Sequence, residues 1–369
     1  MSSSIDEQIT KIEDEIRETP KNKATEHHIG VLKSKLARLR RKRLDQQLSK
    51  TGSSYGFDIK KAGDGSAVIL GFPSTGKSTL LTKITSKASK IGDYDFTTTT
   101  AIPGILDHRG AQVQIIDLPG IIEDASKGKG RGREILAVAR STDLIIILLE
   151  YENAEEVFNK ILNEIRKVAI RPGQKKPEIN IKKKERGGVA LSTIGKLTHM
   201  SEKTFKDILR EYKVMNAAVT VRGDPTMDEL IDILEGNRVY PKLITVVNKI
   251  DLISNKKIAR LKKKFPDAVF ISALKEENLE LLKDRIIDEL ELIQVYLKKQ
   301  RSKTDFDEPL IIKRDSTIKD ICHRIHRQFE SQFRYAVISG PSSKHPNQRV
   351  GLDHVIKEGD IITIIIKPF

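Results

Sequence analysis

Eight consecutive residues constrain this chain more than any other feature: Gly71-Phe72-Pro73-Ser74-Thr75-Gly76-Lys77-Ser78, a match to G-x-x-x-x-G-K-[ST]. They follow an apolar stretch of strand length, residues 67–70, and precede a helical pattern over 79–87. A strand, a glycine-bearing turn and a helix in that order point backbone N–H groups inward around phosphates. The helix N-terminus adds partial positive charge. In such a loop Lys77 reaches the β- and γ-phosphates, and the Ser78 hydroxyl is a ligand for Mg2+.

The strand before the loop is one of several. Apolar runs recur at 113–116, 144–149, 243–247 and 268–271, separated by helical stretches. Runs apolar on both faces and joined by helices predict an α/β domain with a mostly parallel sheet. About 90 residues separate Leu149 from Leu243, far more than one crossover needs. Residues 168–240 are therefore expected to form an inserted subdomain, with a basic stretch over 175–186.

The loops after these strands carry the remaining chemistry. Asn248-Lys249-Ile250-Asp251 follows the strand at 243–247. Guanine offers two adjacent donors, N1–H and the N2 amine, and the Asp251 carboxylate accepts both. Adenine lacks that pair and would leave the carboxylate desolvated and unpaired. Asn248 bonds the far edge of the purine and ties this loop to the phosphate loop, while the Lys249 stem covers the base. Ser272-Ala273-Leu274 follows the next strand, with the Ala273 N–H expected at guanine O6. Asp117-Leu118-Pro119-Gly120 ends the strand at 113–116; Asp117 is expected to hold Mg2+ through water, and the Gly120 N–H to sense the γ-phosphate. Four threonines, Thr97 to Thr100, lie between, and one of them completes the Mg2+ shell when the third phosphate is present. Ile121 follows Gly120 and cannot orient a water as an amide side chain would, so intrinsic hydrolysis is expected to be slow.

Outside these loops, charge and hydropathy set limits. The chain of 369 residues has a formal net charge of +15, which favours polyanionic partners such as RNA or ribosomes. Its single cysteine, Cys322, excludes an internal disulfide and a four-cysteine zinc site. No apolar run is long enough to span a membrane, and a reducing, cytoplasmic setting is expected. Residues 1–50 read as a helical hairpin broken at Pro20 and Asn22, with Ile9, Ile12 and Ile16 on one stripe and Leu32, Leu36 and Leu39 on the other. Its second helix carries Lys33, Lys35, Arg38, Arg40, Arg41, Lys42 and Arg43, which are either a phosphate grip or a solvated face. Residues 51–65 read as a linker, a helix is expected to end near Gln300, and 310–369 read as a β/α unit with a helix at 317–329.

With the five nucleotide elements in order, the chain resembles the Obg-like superfamily of translation-factor-class P-loop GTPases. More narrowly, it resembles the developmentally regulated GTP-binding (DRG) family. The residues that carry this are Lys21-Asn22-Lys23-Ala24-Thr25, Gly71-Phe72-Pro73-Ser74, Asp95-Phe96-Thr97-Thr98, Asp117-Leu118-Pro119-Gly120-Ile121-Ile122 and Lys127-Gly128-Lys129-Gly130-Arg131-Gly132. The resemblance implies an N-terminal helical hairpin (1–50), an Obg-type G domain (65–292), an inserted α+β subdomain like part of ribosomal protein S5 (168–240), and a C-terminal TGS domain of ubiquitin-like β-grasp fold (293–369). It implies Thr98 as the threonine ligand of Mg2+. It also implies a potassium ion near the phosphate loop and a zinc-finger regulatory partner. Lys77, Thr98 and Gly120 are the expected catalytic groups; Ser78, Thr98 and Asp117 the metal ligands; residues 71–78, 117–121, 248–251 and 272–274 the GTP contacts. The function implied is GTP hydrolysis coupled to ribosome or RNA binding in translation. A ribosome-assembly GTPase shares every nucleotide residue. A nucleotide-binding scaffold without turnover is disfavoured by Lys77, Ser78 and Asp117, and an ATP-using enzyme by Asn248 and Asp251.

Overall fold

The computed structural model describes residues 4–49, 63–85, 102–118, 138–298, 309–326 and 328–366. In chain order the elements are helices α1 (Ile5–Glu18) and α2 (Glu26–Ser49); β1 (Gly65–Leu70), α3 (Lys77–Ile84), β2 (Ile102–His108), β3 (Ala111–Asp117), β4 (Leu144–Glu150) and α4 (Ala154–Lys167). Next come β5 (Ile179–Lys183), β6 (Val189–Ile194), α5 (Glu202–Glu211), β7 (Ala217–Arg222) and α6 (Met227–Glu235). Then follow β8 (Lys242–Asn248), α7 (Asn255–Lys264), β9 (Val269–Phe270), α8 (Leu279–Glu289), β10 (Leu292–Leu297) and β11 (Leu310–Lys313). The chain ends with α9 (Ile318–Ile325), α10 (Gln328–Gln332), β12 (Phe333–Ser339), β13 (Gln348–Val350) and β14 (Ile361–Ile366). Among the described residues no helix is long and apolar enough to cross a membrane. The chain divides into two compact units.

The larger unit, drawn from Phe57–Leu162 and Pro241–Phe369, holds two sheets. The first has strand order β2-β3-β1-β4-β8-β9, parallel except for β2. Its centre is the apolar run of β4, buried from Leu144 to Leu149, as burial on both faces requires. Leu80, Leu81 and Ile84 of α3 and Leu282 and Ile286 of α8 pack into the same core. The second sheet has order β11-β10-β14-β12-β13, with Ile318, Ile321 and Cys322 of α9 packed on its inner face.

Three local expectations change, and one strand joins those read from the apolar runs. That strand is β2, in which Pro103 is tolerated because β2 is the sheet edge. The helix expected to reach Gln300 stops at Glu289, and Glu291 at φ +54 turns the chain into β10. In β10, buried Ile293 and Val295 alternate with Gln294 and Tyr296, the period of two that marks a strand. The helix expected at 317–329 is two: α9, opened by a capping box between Thr317 and Asp320, and the short α10. Of the expected linker, 63–65 is sheet-bound, since Gly63 bridges Val113 and the Asp64 N–H donates to Gln112 O; residues 51–62 lie outside the described residues.

The smaller unit is drawn from Met1–Gly56 and Asn163–Tyr240. Helices α1 and α2 form the hairpin, whose turn is closed by Asn22 Oδ1 accepting from the Ala24 and Thr25 N–H groups. The insert is a three-stranded sheet of order β5-β7-β6 with α5 and α6 on one face. Ala37 of α2 belongs to the insert's core with Phe205, Ile208 and Leu230, so hairpin and insert share one apolar interior. Asp232, 5% exposed, accepts from Arg171 at 2.6 and 2.8 Å and from Arg238 at 2.6 Å. Removing a carboxylate that neutralises two largely buried cations is costly. Asp232→Ala is expected to lower stability by about 3 kcal/mol, read from urea unfolding of the full chain.

Candidate guanine-nucleotide site

The chemistry-bearing loops collect at the carboxyl ends of β1, β3, β8 and β9, where open parallel sheets bind ligands. The phosphate loop leaves β1 at Leu70 and enters α3 at Lys77. Its turn needs two left-handed residues, Ser74 at φ +66 and Gly76 at φ +90. Gly76 has a second constraint: a Cβ there would lie 2.6 Å from Asn248 Nδ2. Thr75, almost fully buried, closes the loop by donating from its hydroxyl to Phe72 O at 2.9 Å.

Lys77 is buried, and its ammonium donates to the carbonyls of Gly71 at 3.1 Å and Phe72 at 2.9 Å. Burial pushes its pKa down, opposed by the nearby Asp117 carboxylate. A desolvated ammonium held by two neutral carbonyls is undercompensated, and a polyphosphate would supply the missing negative charge.

Asp117, at the end of β3, is buried. Its Oδ2 accepts from the Ser78 hydroxyl at 2.9 Å, while Oδ1 is buried without a hydrogen-bond partner. A hydroxyl and an unpaired carboxylate oxygen side by side are hard oxygen donors of the kind Mg2+ takes, so the residues fit that ion. Thr98, Pro119, Gly120 and Ile121 lie outside the described residues; Leu118 is buried.

Asn248 joins the two halves of the site. Its Nδ2 donates to Thr75 O and its Oδ1 accepts from the Ala273 N–H, both at 2.9 Å. The Ala273 amide, expected to face guanine O6, is thus directed at Asn248 instead. The reason is geometric: a fully buried amide oxygen needs a donor, and the adjoining 272–274 loop supplies it. Buried Ser272 shapes that loop by accepting the Lys275 N–H at its hydroxyl and exchanging backbone bonds with Glu277. Asp251 sits half-buried in a 3-10 turn over Ile250–Leu252, with no hydrogen-bond or ion-pair partner among the described residues. Lys249 takes φ +63, and its ammonium pairs with Glu150 at 2.9 Å. Glu150 is a site residue that sequence reasoning missed; its signal was its position at the end of β4, in register with Asn248. Leu274 is 74% exposed at the rim.

Two substitutions test this geometry. Gly76→Ala, which combines a strained φ with a clash at Asn248, is expected to weaken GTP binding by about tenfold or more. Asn248→Ala leaves a buried carbonyl and a buried N–H unpaired, and is expected to destabilise the nucleotide-free protein by about 2 kcal/mol. Fluorescent-nucleotide titration and thermal unfolding read the two effects.

Comparison with known proteins agrees with this architecture. Residues 66–184 match the family described as 50S ribosome-binding GTPase, residues 186–292 the C-terminal region of that domain, and residues 293–366 the TGS domain. An uncharacterised GTP-binding protein of Methanocaldococcus jannaschii is 47% identical over 367 residues, covering 98% of this chain and 93% of its own. Developmentally-regulated GTP-binding protein 2 of Homo sapiens is 44% identical over 361 residues, 98% of this chain and 99% of its own. GTP-binding protein 1 of Schizosaccharomyces pombe is 44% identical over the same share of each chain. With full-length identity at this level, and a guanine-type loop constellation on a P-loop sheet followed by a TGS domain, the chain belongs to the developmentally regulated GTP-binding family of P-loop GTPases.

Proposed function

We propose that this chain is a slow GTPase whose nucleotide state controls its binding to ribosomes or RNA in the cytoplasm. The observation that carries the GTP reading is the Asn248 bridge, which couples the phosphate loop to the loop that bears Asp251. The unpaired Asp251 carboxylate supports selection of guanine by its two adjacent donors. Lys249, steadied by Glu150, covers one face of the base, and exposed Leu274 offers apolar surface at the rim. Lys77 moves from its two carbonyls onto the β- and γ-phosphates. Ser78, Thr98 and Asp117 would hold Mg2+, Asp117 through water. When bound, the ion would supply positive charge against the charge developing on the transferred phosphoryl group. Gly120 senses the γ-phosphate, and Ile121 leaves the water without an orienting amide, which is why the rate is slow. A potassium ion beside the phosphate loop would add positive charge there; turnover is then expected to rise when K+ replaces Na+.

The translation reading rests on the net charge of +15 and on the matching family's description as ribosome-binding GTPases. A zinc-finger regulatory partner follows from the resemblance to the DRG family.

Nucleotide competition tests the first half: GTP is expected to displace a bound guanine nucleotide about 10,000-fold better than ATP, and Asp251→Ala to erase most of that ratio. Lys77→Ala is expected to abolish hydrolysis. Sucrose-gradient sedimentation with cell extract tests the second half. Co-migration with ribosomes in a non-hydrolysable GTP analogue, and release in GDP, is the expected result. Migration with subunit precursors alone would assign the protein to ribosome assembly, and a chain that stays at the top of the gradient in both nucleotides would end the translation reading.

A further inference from the structure

Helix α2 and the insert are both rich in cations, and the structure uses them in opposite ways. On α2 the cations are mostly spent. Lys33 pairs with Asp228 at 2.7 Å, Arg40 with Glu13 at 2.7 Å, Arg41 with Glu235 at 3.5 Å and Arg43 with Asp6 at 3.0 Å. Arg38 lies over the Tyr212 ring at 4.6 Å and reaches Glu211. Only Lys35 and Lys42 of the cluster have no partner among the described residues. The helix's positive charge is thus complemented by acids of α1, α5 and α6, and serves to dock the hairpin onto the insert.

Arg171 and Arg238 of the insert are held by Asp232, but the cations of its strands β5 and β6 and of the loops beside them are free. Residues 174–196 carry seven basic side chains against two acidic ones. Lys182, Lys183, Lys184, Arg186 and Lys196 are exposed and have no ion-pair or hydrogen-bond partner among the described residues. Lys182 stands on a bare sheet face, and Lys184, Arg186 and Lys196 lie in the loops beside it. Helices α5 and α6 cover the face of Val219 and Val221, while the opposite face stays open. Its cross-strand rows are Lys182–Ala218–Ala190, Asn180–Thr220–Ser192 and Arg222–Ile194; the first two are small or polar and allow a close approach, and exposed Ile194 stands at the end of the third. The adjoining cationic turn is preorganised. Asn216 accepts the Gly188 N–H at 2.8 Å and donates to Glu185 O at 3.1 Å, fixing the loop backbone without consuming a single cation. Arg222 has Glu178 at 3.6 Å, but both are about two-thirds exposed, a pair worth little in water.

We infer that the open face of the β5-β7-β6 sheet, with the turn at 184–188, is this chain's RNA contact, and that it takes the sugar-phosphate backbone of a duplex. This rests on the RNA- or ribosome-directed function proposed above. Free lysines and arginine supply phosphate contacts, and Ser192, Thr220 and Asn180 supply hydrogen-bonding groups for phosphates and 2′-hydroxyls. The rows contain no aromatic side chain. Single-strand binding relies on bases stacking on aromatic rings, whereas duplex RNA is recognised by shape and backbone.

The test uses the full chain, an RNA hairpin stem of about 20 base pairs and a single strand of equal length, titrated by fluorescence anisotropy across a KCl series. The wild type is expected to prefer the duplex. The variant K182Q/K184Q/R186Q is expected to lose affinity about tenfold or more and to flatten the salt dependence by about two to three units of slope. K35Q/K42Q on α2 is expected to bind as the wild type, and unchanged GTP affinity in both variants reports an intact fold. Wild-type affinity in the triple variant, loss in K35Q/K42Q instead, or a preference for the single strand would overturn the assignment. So would binding to anionic lipid vesicles, but not RNA, through the same three residues. Ribosome binding that survives the triple substitution would sink this inference alone, whereas a wild type that binds neither ribosomes nor RNA sinks the parent reading.

Discussion

The nucleotide site depends on one side-chain amide. Asn248 is almost fully buried at the end of β8, and it satisfies both ends of its amide across two other loops. A buried amide that lost either partner would carry the desolvation cost of that group, so the three loops hold a single relative arrangement. That arrangement fixes the neighbouring residues. Gly76 must be glycine because Asn248 Nδ2 occupies the space a Cβ needs, and the Thr75 carbonyl must face Asn248, which dictates the path into α3. Base reading and phosphate reading are therefore one geometric event.

The smaller unit follows a different rule. Its hairpin and insert are far apart in sequence, and apolar packing at Ala37 is only part of what joins them. The rest is ionic: Lys33, Arg38 and Arg41 of α2 meet Asp228, Glu211 and Glu235 of the insert helices. Glu235 is buried and also accepts the Tyr212 hydroxyl at 2.7 Å; burial, and then this carboxylate, drive the Tyr212 pKa far upward. A carboxylate held by a hydroxyl and a guanidinium at once has its geometry specified better than a lone surface pair.

Most of the nucleotide site was legible in the sequence because its signals are local. A phosphate loop is eight contiguous residues, and Asp117 and Asn248 each end an apolar strand. What was illegible depends on partners distant in the chain. The run of basic residues on α2 reads alike whether solvated, phosphate-bound or paired, and only the fold brings Asp228 and Glu235 against it. The bond from Ala273 to Asn248 likewise spans loops that sequence reasoning had assigned separately to the ligand. β10 was obscured by its neighbour: Ile286, Ile287 and Leu290 lead so directly into Leu292 and Ile293 that helical spacing seems to continue, and the break at Glu291 is a backbone event with no glycine or proline to mark it. The shared interior of hairpin and insert had no compositional trace.

The β2–β3 hairpin ties Asp117 to distant parts of the larger unit. At one end β3 delivers Asp117 to Ser78, in register with Ile102 of β2. At the other, the turn is anchored twice: His108 pairs with Asp284 of α8 at 2.6 Å, with Arg109 on the same carboxylate at 2.8 Å, and Gln294 of β10 donates to the Arg109 carbonyl. Gly110, at φ +71, brings the turn against Pro309 beside β11. An antiparallel pair in register over seven residues bends little along its length. Motion of Asp117 along the strand axis would therefore have to strain the charge cluster on α8 or the bond to β10, where the C-terminal sheet begins. The unpaired oxygen of Asp117 and the first strand of the C-terminal sheet thus lie at opposite ends of one hairpin, and the Ser78–Asp117 corner is held from both ends of it.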